Sequence, residues 1–92
     1  MIIRILGEGQ FRLDDKHIDD LNKIDNRIVD HVDKDDEAAF RRDLGKLIST
    51  VKDLGKPLDP VDIVRSDFIF PPEDLSFDEA KRVFSGDGII KD

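Results

Sequence analysis

Apolar positions fall into blocks whose spacing changes along the chain. Ile2, Ile3, Ile5 and Leu6 are β-branched or bulky, as a strand prefers. Gly7-Glu8-Gly9 breaks the run, and Gln10-Phe11-Arg12-Leu13 resumes it with alternation. Phe11 and Leu13 lie on one face, Gln10 and Arg12 on the other. Two strands around such a turn predict a β-hairpin, because its backbone needs the positive φ that glycine supplies. The period then lengthens. Ile18, Leu21, Ile24, Ile28, Val29 and Val32 follow a 3.6-residue repeat, with Asp19, Asp20, Lys23, Asn26, Arg27 and Asp30 opposite. Asp14 and Asp15 are ready N-caps, so a helix is predicted over residues 15–32.

A short charged break, residues 33–37, precedes a second stripe of Phe40, Leu44, Leu47, Ile48, Val51 and Leu54. Asp35 or Asp36 can cap it, Gly55 sits where a C′ glycine belongs, and Pro57 follows. Helix two is therefore predicted over 37–54. The short connection makes the two helices antiparallel neighbours, packed on each other and on one face of the hairpin. Beyond Pro60 the pattern loosens. Residues 61–64 suit a helical turn or a strand. Phe68-Ile69-Phe70 has strand character and stops at Pro71-Pro72. Ser76-Phe77-Asp78-Glu79 reads as a capping box for a third helix over 77–84, with Phe77, Ala80, Val83 and Phe84 inward. Ile89-Ile90 is compatible with a last strand of the N-terminal sheet. The fold class is α+β: an N-terminal hairpin, an antiparallel helix pair, an irregular or short-strand segment and a short C-terminal helix, in one domain over residues 1–92.

Composition narrows the function classes. With 92 residues and no cysteine, the chain has room for one small core and holds no disulfide, thiolate metal site or cysteine nucleophile. The net charge is −7, and Asp supplies 18 of the 22 acids. Such a surface repels phosphate backbones and anionic headgroups, so nucleic-acid binding is not expected. No apolar run approaches the ~18 residues of a membrane span, and the first residues lack the pattern of a signal peptide. The expected compartment is the cytoplasm.

Candidate chemistry is sparse. Asp33-x-Asp35-x-Glu37 begins like a calcium loop, but Ala38 and Leu44 stand where the sharp turn and the bidentate acid belong. His17 and His31 are ~21 Å apart along one helix and cannot share a metal ion. Ser49, Thr50, Ser66, Ser76 and Ser85 are the available hydroxyls, and none stands in a nucleophile signature. No catalytic, metal or cofactor residue is expected. Phe68-Ile69-Phe70, closed by two prolines without backbone donors, reads either as a core plug or as an apolar edge for a partner.

In its ordered motifs the chain resembles the PspA-associated protein family, PspAA, a small domain of archaea and actinobacteria. The likeness lies in residues 3–11, IRILGEGQF, in the helical residues 21–29, in Asp36-Glu37-Ala38-Ala39-Phe40, in Leu54-Gly55-Lys56-Pro57-Leu58, in Ser66-Asp67 and in Pro71-Pro72. The resemblance implies a non-enzymatic accessory protein of the phage-shock or envelope-stress response. Its implied partner is PspA, a coiled-coil membrane-remodelling protein, met at the inner face of the membrane without insertion. Gly7, Glu8, Gly9, Gln10, Ser66, Asp67 and Pro71 match family motifs, and a structural role is expected for them. For the contact itself, the charge suggests an acidic helix face, including Asp19, Asp20 and Asp30, helped by Phe68 or Phe70. Two other classes stay open: a homodimeric module, favoured by Ile24 and Val32 outside the main stripe, and a transcriptional module, disfavoured by charge.

Overall fold

The computed structural model describes residues 1–61, 64–86 and 88–90. Strands β1 (Ile2–Ile5) and β2 (Gly9–Arg12) form the predicted antiparallel hairpin, in the register Ile3↔Phe11 and Arg4↔Gln10. Gly7 and Gly9 take φ of 88° and 104° at its turn. A 3₁₀ turn at Asp15–His17 leads into α1 (Ile18–Asp33). Asp14 caps that turn, accepting from the Lys16 amide at 3.0 Å, so α1 begins at Ile18, three residues later than predicted. Helix α2 (Glu37–Leu54) has the predicted bounds, with Asp36 accepting from the Ala39 amide at 3.2 Å. Between the helices Asp35 adopts φ 55°, a left-handed conformation that aspartate tolerates.

Two elements complete the sheet. Strand β3 (Lys56–Pro57) pairs antiparallel with β2, and β4 (Phe68–Phe70) pairs parallel with β1, giving the order β3-β2-β1-β4. Helix α3 (Phe77–Val83) follows. Its cap is a variant of the predicted box: Ser76 Oγ accepts from the Glu79 amide at 3.1 Å and donates to Glu79 Oε1 at 3.0 Å.

Register explains the core. Ile3, Ile5, Phe11 and Phe70 point to one face of the sheet, where Leu21, Ile28, Phe40, Leu44, Leu47 and Val51 of the helix pair cover them. Phe40 stacks edgewise on Phe84 with centroids 6.1 Å apart, tying α3 to the same core.

Three expectations need correction. Ile89 and Ile90 do not add a strand, because their amides bond to a side chain of α1. Gly55 has φ −90° and is no left-handed cap; a Cβ there would stand 2.6 Å from Val51 O and 2.9 Å from Leu13 Cδ1. The glycine permits close approach of α2 to the hairpin. Ile24 and Val32 are only 5% and 6% exposed within the single chain, so neither offers an apolar surface to a second copy. Of residues 61–64, Val61 lies in a turn, and residues 62 and 63 fall outside those described.

Candidate interaction surface

The expected contact residues divide by their place on α1 and β4. Asp19 and Asp20 are exposed in the first turn of α1. Phe68, half-buried against the core, lines a shallow depression together with Met1, Asp15, Ile18 and Asp67. The fold thus brings Phe68 beside the N-terminal end of α1, where the acids that share its depression are Asp15 and Asp67, and neither Asp19 nor Asp20 lines it. Asp30 lies ~16 Å further along the helix and is engaged by Lys34 Nζ at 2.9 Å. Phe70 is a correction. It has no exposed surface, because it alternates to the inner face opposite Ile5. The strand residue that does face solvent is Ile69, 55% exposed.

The motif residues gather around β1 and β4. Gln10 is buried on the outer face of β2, and its Nε2 donates to Val64 O at 2.7 Å and to Ser66 Oγ at 2.8 Å. Asp67 holds the start of β4 to β1 twice. Its amide donates to Ile2 O at 2.7 Å, and its Oδ2 accepts from the Ile2 amide at 2.7 Å. Glu8 at the hairpin turn accepts from Lys52 Nζ of α2 at 2.6 Å, and Pro71 is buried just after β4. These side chains fix how the segment after α2 crosses the sheet and enters as a parallel strand. A family model described as PspA-Associated protein, PspAA, matches residues 1–92. The chain belongs to this family. It matches no curated protein and no solved structure.

Two buried carboxylates of this PspAA domain escaped the sequence reading. Asp25 and Asp43 are 0% and 4% exposed. Both stand within apolar stripes, Asp25 between Ile24 and Ile28, Asp43 between Phe40 and Leu44, and an acid inside a stripe is the signal by which the sequence could have shown them. Asp25 accepts from the amides of Ile89 at 3.2 Å and Ile90 at 2.9 Å. Asp43 of α2 faces α1, with His31 Nε2 at 2.7 Å and Arg27 Nε at 3.3 Å. Burial pushes the Asp43 carboxyl up, but the hydrogen bonds from His31 and Arg27 outweigh it and hold it below the usual carboxylate range.

An Asp–His pair is part of many hydrolytic sites, so the hydroxyls matter. Each candidate has a partner elsewhere. Ser49 and Thr50 donate to Lys46 O, Ser85 donates to Arg82 O, Ser76 caps α3, and Ser66 accepts from Gln10. The pair joins the two helices of the PspAA fold. Among the described residues no three His, Asp or Glu side chains converge to hold a metal ion, and no helix is long and apolar enough to cross a membrane.

Proposed function

We propose that this PspAA domain is a non-enzymatic adaptor of an envelope-stress response. It binds, and modulates the assembly of, a PspA-like coiled-coil protein. The observation that carries this reading is the family match over the whole chain. Two features of the surface support the reading. Asp19 and Asp20 stand exposed in the first turn of α1, and Phe68 lines a depression at the same end of that helix with Asp15, Ile18 and Asp67. A basic stretch of a coiled-coil helix rich in Lys, Arg and Glu meets these carboxylates, and an apolar side chain of the partner reaches Phe68. Charge at such a rim steers encounter and selects the partner more than it adds affinity. The domain works in the cytoplasm and reaches the inner face of the membrane through this partner, with no cofactor.

Co-purification of the tagged protein from its own host, with mass spectrometry of what it retains, tests the reading. A PspA-like coiled-coil protein is the expected companion. Asp19→Lys together with Asp20→Lys lowers its recovery at least about fivefold, roughly 1 kcal/mol of binding. Unchanged recovery removes the electrostatic part of the proposal. Recovery of the chain alone, at a dimer mass, replaces the adaptor reading by self-assembly.

A further inference from the structure

The described residues leave five large apolar side chains exposed: Leu6, Leu54, Val61, Ile69 and Val83. Two of these, Leu6 and Val83, meet in one groove of about 580 Å³ at the far end of β4 from Phe68. Leu6 follows β1, Val83 ends α3, and Pro71, Pro72 and Leu75 form the floor and wall between them. Leu6 is 48% and Val83 38% exposed, so both present apolar surface to solvent. Asp74 and Glu79 belong to the lining, and among the described residues no cation does.

The groove is built rather than incidental. Arg41 of α2 donates from Nη1 to the carbonyls of Leu75 and Glu73, and the Leu75 amide donates to Pro72 O at 3.1 Å. Phe40 packs on Phe77 with centroids 5.5 Å apart, which fixes the start of α3. The walls therefore stand ready before any partner arrives, which spares an ordering cost on binding. Pro71 and Pro72 carry no N–H, so this wall offers no ladder donors to an added strand. It suits a segment that satisfies its own backbone and inserts side chains, the helix-in-groove mode.

We propose that this groove docks an amphipathic helix of a partner protein, with aliphatic anchors on Leu6, Leu75 and Val83 and flanking Lys or Arg on Asp74 and Glu79. The surface is distinct from the acidic end of α1 and does not depend on which partner that end meets.

The test uses the full chain, labelled with ¹⁵N, and a synthetic amidated helix of roughly 18 residues, with Leu at i, i+3, i+4 and i+7 and Lys elsewhere. Saturable binding is expected, with the largest amide shifts at Leu6, Gly7, Leu75 and Val83. Replacing every Lys by Glu weakens binding at least about tenfold, 1.4 kcal/mol by the affinity relation. Leu6→Ser with Val83→Ser does the same, and Asp74→Lys weakens the Lys peptide selectively. Shifts confined to Asp19 and Asp20, equal binding of the Glu peptide, unaltered affinity of the double variant, or no saturation each overturn the proposal.

Discussion

Asp25 sits in the apolar stripe of α1 yet spends its carboxylate on two backbone amides, those of Ile89 and Ile90. Gly88 makes room for this: it has φ 77°, and a Cβ there would stand 2.6 Å from Asp25 Oδ2. Buried amides left without acceptors cost about 1–3 kcal/mol. Asp25→Ala should therefore lose about 2–3 kcal/mol in urea unfolding, while Asp19→Ala on the exposed face stays within about 0.5 kcal/mol. Asp43 responds to pH instead. Its folded carboxyl titrates below the model-compound value of 3.8. Its contribution to stability is thus complete above the unfolded value and is lost as pH falls through the lower folded one. The urea midpoint of the wild type should drop as acid is added below about pH 4. In Asp43→Asn that acid limb should be shallower, because one depressed carboxylate is gone.

At the scale of elements, the second helix depends on a single close approach. Gly55→Ala forces a Cβ against Val51 O and Leu13 Cδ1, and such overpacking costs about 1–3 kcal/mol. A lowered thermal midpoint with an unchanged helical circular-dichroism signal is the expected result. The helices, the hairpin turn and the Ser76 cap were legible because each is a local pattern: a 3.6-residue stripe, a glycine pair, a serine three residues before an acid. Strand β3 was not legible, since two residues carry no period and Pro57 reads as a helix stop. Its pairing is set by β2, through Phe11↔Pro57. Strand β4 had the right composition, but nothing local tells which of its residues faces inward. The parallel register with β1 decides that, burying Phe70 and exposing Ile69. The expected contact residues divide in the same way. Asp19, Asp20 and Asp30 are exposed, as a polar helix face should be, while the apolar part had to be read from tertiary structure.

The whole molecule is less uniform than its net charge of −7 implies. Arg4 and Arg12 are exposed on the outer face of the sheet, and Arg12 stands directly opposite exposed Lys56. Asp19, Asp20, Asp30 and Asp33 are exposed on α1, in the layer on the other face of the sheet, among Lys23 and Arg27. Capture through Asp19 and Asp20 should weaken as ionic strength rises past physiological values, where the screening length falls below about 8 Å. The parallel pairing of β1 with β4 has a consequence for synthesis. A nascent chain builds the hairpin and the helix pair from near neighbours, but the second edge of β1 must wait for partners 65 residues away. Until residues 67–70 leave the ribosome, the Ile2–Ile5 strand stays open on that side. A translational pause before that point leaves an apolar strand edge of the kind that templates aggregation.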